Sequence, residues 1–237
     1  SRGPFAVAAS GCAMLVGRLS YTLGLQGPSI PYDTACSSSL SASHAALSAL
    51  QRRETGPALV LGVNIMCASG VSELFASAQM TSLTGRSYTF DSRADGYARG
   101  EACCCALLQL ERAEATGSGR VRYEAGAVRQ DGRSASLTAP NGTAQQALLR
   151  ATLERAGRAA SGAFLLEAHG TGTSLGDPIE ARAMSAVRDQ PQLMAAGGCK
   201  ASFGHTEAPS GLLGYLGIVG SLQTSSAASN AQLRALN

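Results

Sequence analysis

Asp33-Thr34-Ala35-Cys36-Ser37-Ser38-Ser39-Leu40 sets one cysteine at the head of three serines, and Leu40, Ala42, Ala46, Leu47 and Leu50 follow at helical spacing. The small residues on either side allow a tight strand-to-helix turn with the sulfur at its apex. A thiol held there lies at the positive end of a helix dipole, beside backbone N–H groups without intrahelical partners. Both effects stabilise negative charge on sulfur and make it a better nucleophile. An isolated cysteine is more often an inert buried residue. Two histidine motifs further along the chain weigh the other way here, because a nucleophile needs such partners.

Outward from this octet the chain alternates strand-like and helix-like stretches, the pattern of an α/β protein. Ala58–Val63, Ala102–Leu110 and Val121–Val128 read as strands, the last two separated by the polar turn Thr116-Gly117-Ser118-Gly119. Gln145 to Ala156 reads as a helix closed by Gly157. Ala163–Ala168 is a short buried strand delivering His169, and Pro178 suits the first turn of a helix reaching about Val187. Gly197–Ser202 reads as a further strand just before His205, and Pro209 and Ser210 open a last helix. Gly211, Gly214, Gly217 and Gly220 recur on that helix at every third position, which suits close packing. Gln223 to Asn230 reads as a polar surface segment.

At 237 residues with 45% apolar and 15% charged side chains, the chain has enough material for a real core. A net charge of +3, with scattered arginines, gives nucleic-acid binding little support. Arg52-Arg53 ends a helix, where cations suit the dipole. The seven cysteines form no CxxC pair and no metal-type grouping with histidine along the sequence, which points to a reducing, intracellular setting. Within Cys103-Cys104-Cys105 alternate members must face opposite sides of a strand, so the triplet reads as core hydrophobes and not one metal site. The first 32 residues lack acids, as a transit peptide would, but run straight into the cysteine motif and read better as the start of an internal fragment. Leu212 to Leu222 is too short to span a bilayer.

Three further motifs join the octet. They are Glu167-Ala168-His169-Gly170-Thr171-Gly172-Thr173-Ser174-Leu175-Gly176-Asp177-Pro178-Ile179-Glu180, then Lys200-Ala201-Ser202-Phe203-Gly204-His205-Thr206-Glu207-Ala208, and Phe90-Asp91 through Ala94-Asp95-Gly96-Tyr97 to Arg99-Gly100-Glu101. With these in order, the chain resembles the β-ketoacyl synthases, decarboxylating condensing enzymes, and most of all the ketosynthase domain of type I polyketide synthases. The resemblance runs from about Pro4 to Asn237, with Gly27-Pro28-Ser29 and Thr138-Ala139-Pro140-Asn141-Gly142 in support.

That resemblance implies a thiolase-like layered α/β/α/β/α fold, truncated at both ends. Residues 1–237 would then be the central portion of a single ketosynthase domain, with an N-terminal segment and a C-terminal glycine-rich loop lying outside it. Open strand edges would leave such a fragment poorly soluble or inactive by itself. The resemblance further implies that Cys36 carries the acyl group as a thioester. His169 and His205 would flank the extender's carbonyl and stabilise enolate charge through N–H donors. Lys200 would act as a buried cation paired with Glu180. Thr171 and Thr173 would meet the phosphopantetheine arm of an acyl carrier protein. No cofactor would be bound directly, and a homodimer is implied.

Asp91, Asp95, Arg99 and Glu101 read as a structural ion network, and His44 as a packing residue. Tyr32, the pair Ser202-Phe203 and Gly217 depart from the family pattern, and Phe203 would reshape the pocket beside the second histidine. The implied reaction is a decarboxylative Claisen condensation in polyketide synthesis. The equivalent domain of a fatty acid synthase and a non-elongating acyl-holding ketosynthase stand as alternatives. A Cys–His hydrolase and a non-enzymatic interaction module are more distant ones. An intracellular setting leaves cytoplasm and plastid undistinguished.

Overall fold

The structure is a computed structural model that describes residues 11–111, 121–159, 165–188 and 195–237. Helix α1 (Cys12–Leu23) leads to an irregular segment, a 3-10 turn at Ala35–Ser37 and helix α2 (Ser38–Gln51). Strand β1 (Ala58–Asn64), helix α3 (Ser69–Ser77) and strand β2 (Ala102–Leu108) complete a first layered unit of sequence. Helix α4 (Gly142–Ala156), strand β3 (Leu165–Glu167), helix α5 (Gly176–Val187), strand β4 (Ala195–Gly197), the single turn α6 (Lys200–Phe203) and helix α7 (Ser210–Thr224) follow.

Strands β1 and β2 run antiparallel in the register Ala58↔Leu108 to Asn64↔Ala102, and β3 and β4 pair in parallel. Period-two alternation buries Val60 and Cys104 on one face of the first sheet. There they meet Leu212 of α7 with Ala42 and Ala46 of α2 around them. Cys103 and Cys105 point the other way, as the alternation requires, and are exposed, so of the triplet expected to be core hydrophobes only Cys104 is one. Leu59, Leu61 and Val63 share that open face. A second cluster joins Phe90, Ala168 and Met184, with Leu149 and Leu166 against it.

Several expectations change. The strand expected over Val121–Val128 is not seen: among the described residues this stretch has no ladder partner and belongs to no sheet. The strand expected over Gly197–Ser202 stops at Gly197, because the glycine pair lets the chain fold back over Thr89 and wind into α6. Helices α1 and α3 had no clear sequence signal. The turn at 116–119 lies outside the described residues, as do positions 163 and 164 of one expected strand.

The apolar stripe read on α2 holds in part: Leu50 is buried and Ala42 and Ala46 pack on the first core cluster, while serines fill the rest of the buried face. Ser38, Ser39, Ser41, Ser43 and Leu50 are buried, while Leu40 is 44% exposed. Small serines let β1 and α7 pack close, and their hydroxyls find partners: Ser38 and Ser43 donate to local carbonyls, Ser41 pairs with the Thr34 hydroxyl, and Ser39 Oγ accepts from Leu212 N. Of the α7 glycines, Gly211 and Gly214 do pack, against Leu40 and Glu167, whereas Gly217 and Gly220 face open space.

Gly62 of β1 lies where an added Cβ would come within 2.8 Å of the Pro209 backbone at the head of α7. That contact sets the spacing of sheet and helix. Gly62→Ala is expected to destabilise the folded protein by about 1–3 kcal/mol, the usual cost of overpacking, as read from its denaturant midpoint; an unchanged midpoint would show that the spacing is not fixed there.

Candidate active site

The turn carrying Cys36 is built from its serines and threonine. Ala35 adopts a φ of +51°, an uncommon conformation for a residue with a Cβ, and so turns the chain sharply into the helix. Thr34 N donates to Ser38 Oγ at 2.9 Å, and Ser38 Oγ donates to Ala35 O at 2.7 Å. Helix α7 then locks the turn from the other side. Ser210 Oγ donates to Cys36 O at 3.2 Å, Leu212 N donates to Ser39 Oγ at 3.0 Å, and Ser39 N donates to Ala208 O at 3.2 Å. The start of each helix is thus capped by the other.

His205 reaches the same place from 169 residues further along the sequence. Its N–H donates to Ala98 O at 2.6 Å and its carbonyl accepts from Gly100 N at 2.9 Å, so the segment before β2 holds it like a strand partner. The residue is 5% exposed, and its ring meets the Tyr97 ring edge-on at 4.9 Å. The His169 and His205 rings stand perpendicular, with centroids 5.6 Å apart. One ligand atom from each of Cys36, His169 and His205 lies within 4.8 Å of the others. The three residues singled out in the sequence therefore converge.

The His169 loop is organised by two carboxylates. Glu180 accepts from His169 N at 2.6 Å and from Gly170 N at 2.8 Å. Asp177, 1% exposed, accepts from Gly172 N and Thr173 N within the loop and from Phe90 N at 2.7 Å. Gly170 and Gly172 have φ values of +44° and +78°, and a Cβ at either would strike Thr89 or the Tyr88 backbone. Thr89 Oγ1 in turn donates to Gly170 O at 2.6 Å.

Lys200 is 4% exposed, and none of the ion pairs among the described residues joins it to Glu180. The expected Lys200–Glu180 partnership is therefore no direct ion pair: the Lys200 charge acts on the carboxylate through space, while the hydrogen bonds to Glu180 come from the His169 and Gly170 amides. Cys36, Glu167, His169 and Lys200 line one cavity of about 270 Å³, with Leu40, Tyr215 and Ile218 along its apolar wall. Phe203 does not line it and is 63% exposed, so the reshaping expected from this ring is absent from that cavity.

Thr173 Oγ1 accepts from Gly176 N at 3.1 Å and so closes the start of α5, while Thr171 is buried beside it with the hydroxyls 3.4 Å apart. The ion network expected of Asp91, Asp95, Arg99 and Glu101 divides instead. Asp91 holds Arg93 and the Arg234 and Ala235 amides, Arg99 pairs with Glu207, and Glu101 accepts from Met66 N. His44 lies within α2 with Nδ1 buried and unpaired. Sequence reasoning underrated Asp177, Thr89, Tyr97, Ser210 and Glu207. All but Thr89 and Ser210 stand inside the quoted motifs, and their hydrogen-bonding or acidic character was the available signal.

Electrostatics keep both imidazoles neutral. Burial pushes His205 down to about 3 and His169 down to about 4, and the Lys200 ammonium pushes both the same way. Burial also raises Asp177 and Glu180 despite the N–H donors on them. Glu207 N donates to His205 Nδ1 at 3.0 Å, which leaves Nε2 as the protonated nitrogen. A Cys/His/His trio is also a zinc-type donor set. This tautomer presents a proton and not a lone pair from His205, so the trio fits proton donation better than metal binding.

Because the folded-state values lie below the ordinary imidazole value of 6.5, the unfolded chain binds more protons as pH falls from about 6.5 toward 4. The stability that neutral His169 and His205 contribute is complete above 6.5 and is lost on acidification through that window. Ring-proton NMR of both histidines is expected to show no titration between pH 5.5 and 8; a midpoint near 6.5 at His205 would contradict the burial argument.

Comparisons with known proteins agree with this arrangement. The β-ketoacyl synthase N-terminal domain family matches residues 2–114, and the β-ketoacyl synthase C-terminal domain family matches residues 122–234. A phenolphthiocerol/phthiocerol polyketide synthase of Mycobacterium tuberculosis is 44% identical over 224 residues, covering 90% of this chain and 12% of that protein. Erythronolide synthase EryA3 of Saccharopolyspora erythraea is 43% identical over 206 residues, covering 84% of this chain and 6% of that protein. The chain thus spans a small part of the curated relatives it matches. The ketosynthase from module 6 of the bacillaene synthase of Bacillus subtilis superposes with a TM-score of 0.89 at 31% identity, over 97% of this chain and 41% of that one. With sequence and thiolase-like α/β fold in agreement, this chain belongs to the β-ketoacyl synthase family, among the ketosynthases of polyketide synthases.

Proposed function

We propose that the chain supplies the Cys–His–His centre of a ketosynthase that performs decarboxylative Claisen condensation on carrier-bound thioesters. The convergence of Cys36, His169 and His205 within 4.8 Å carries this reading. Residues 1–237 act as part of one ketosynthase domain, since the site draws residues from both matched regions.

Cys36 Sγ attacks the carbonyl of an incoming acyl thioester. A new C–S bond forms, the old one breaks, and the carrier thiol leaves with the proton. A malonyl-type extender then loses carbon dioxide, and the electron pair of the broken C–C bond becomes an enolate. Nε2–H of His205, kept protonated by the Glu207 amide on Nδ1, donates to the enolate oxygen, and the His169 ring lies close enough to share that task. Neutral imidazoles suit this, since donation without prior protonation remains available at neutral pH. The enolate carbon attacks the Cys36 thioester, the Cys36 thiolate departs, and a β-ketoacyl thioester remains on the carrier.

Lys200 contributes a positive field that favours the developing anion and disfavours protonation of both rings. Glu180 acts by shaping the His169 loop. The phosphopantetheine arm of an acyl carrier protein delivers the substrates, with Thr171 and Thr173 near its path. No cofactor is needed for these steps. A ketosynthase homodimer in an intracellular compartment is the setting, and no described helix is long and apolar enough to cross a membrane. The relatives named above are polyketide synthases, which supports that pathway class over fatty acid synthesis.

In the full-length protein, Cys36→Ala is expected to abolish acyl transfer from a radiolabelled acyl thioester. His205→Ala is expected to keep acyl loading and lower malonyl decarboxylation about 10²–10³-fold, the loss typical of one oxyanion donor. Labelling that survives at full level in Cys36→Ala would refute the assignment.

A further inference from the structure

Glu207 adopts a φ of +57°, left-handed for a residue with a side chain. This conformation aims its N–H at His205 Nδ1, 3.0 Å away. A neutral imidazole has one donor and one acceptor nitrogen, so the amide decides which nitrogen carries the proton. Glu207 is in turn held by an ion pair, with Arg99 Nε 2.7 Å from Glu207 Oε1. The pair is largely enclosed, its side chains being 9% and 25% exposed.

Arg99 is itself pinned. Its guanidinium donates to Ser72 Oγ and lies 5.2 Å from the Phe75 ring centroid, both on α3. Its neighbours Ala98 and Gly100 hydrogen-bond the two sides of the His205 backbone. One short segment therefore fixes the histidine main chain directly and its ring indirectly, through the Glu207 carboxylate. Glu207 O also accepts from Ser210 N at 2.9 Å, the first residue of α7, so the same residue touches the brace on Cys36.

From this chain of contacts we infer that the Arg99–Glu207 ion pair is a positioning device that holds His205 in its Nε2–H tautomer. Without Arg99 the Glu207 side chain loses the anchor that keeps a left-handed backbone in place, and relaxation turns the amide away from Nδ1. His205 then samples the other tautomer, which presents a lone pair and not a proton to the enolate oxygen. Arg99 and Glu207 touch no substrate in this scheme and act only through His205. The inference rests on the condensing reading for its catalytic consequence, but not for the tautomer itself.

The test uses the full-length protein with 15N-labelled histidine, the His205 ring signals being assigned by their loss in His205→Gln. Ring nitrogen shifts are compared in wild type, Arg99→Gln, Arg99→Lys and Glu207→Gln. Decarboxylation of malonyl-pantetheine is followed alongside, with thermal melting and iodoacetamide labelling of Cys36 as controls for folding. Arg99→Gln is expected to give mixed tautomers at His205 and a kcat roughly ten- to hundredfold lower, short of deleting a donor outright, with KM within about twofold. Arg99→Lys restores most of both.

A folded Arg99→Gln protein with an unchanged tautomer and kcat would overturn the inference. Should Arg99→Gln not fold, the His205 tautomer in Glu207→Gln decides: mixed supports the device, unchanged overturns it. Absence of decarboxylation by wild type would sink the condensing reading, and the nitrogen shifts would still decide the role of the pair.

Discussion

Two helices that begin at the same point cap each other, and the site depends on that contact. An α-helix starts with N–H groups that its own turns cannot satisfy. Here α2 and α7 exchange partners: Ser39 Oγ takes the Leu212 amide, Ala208 O takes the Ser39 amide, and Ser210 Oγ reaches the Cys36 carbonyl. The exchange joins two stretches of chain far apart in sequence (174 positions separate Cys36 from Ser210). It fixes the Cys36 turn relative to the segment that carries His205. It also explains why serine and not a bulkier apolar residue fills the buried face of α2, since a long side chain would hold the helices apart.

Buried carboxylates are the second organising element, and they act on backbone more than on cations. Asp177 gathers amides from Phe90, Gly172 and Thr173, and Glu180 gathers those of His169 and Gly170. Asp91 does the same for Arg234 and Ala235 while pairing with Arg93. Each amide left without its partner would cost about 1–3 kcal/mol in a buried setting. A glycine-rich loop has little rigidity of its own, so these acceptors supply it. The same arrangement frees the Lys200 charge to act on the two imidazoles through space, which helps to keep them neutral.

Much of this was legible along the chain. Cys36, His169 and His205 stood out because their surroundings are small, glycine-rich or strand-terminal. β1, β2, α4, α5 and α7 fell close to where periodicity and capping residues put them. The alternation in Cys103-Cys104-Cys105 also held, but it left Cys103 and Cys105 exposed and only Cys104 in the core. What misled was local pattern without tertiary context. Leu40 looked like a core position on α2, yet the helix is packed from more than one side and its serines go deepest. Glu180 looked like the partner of Lys200, because charge pairing is easier to read in a sequence than the demand of two backbone amides.

Residue types and spacing by themselves determined the chemistry available: one sulfur, two imidazoles, one buried cation, and turns tight enough to present them. They did so because catalysis needs side chains with particular functional groups at strand and helix ends, and those are local properties. Only the tertiary structure decided which nitrogen of His205 carries its proton, which acid meets which base, and which face of α2 is covered. These depend on hydrogen bonds between segments such as 98–100 and 205–207, whose approach no local pattern encodes. Proton placement in this site is therefore a property of the assembled backbone.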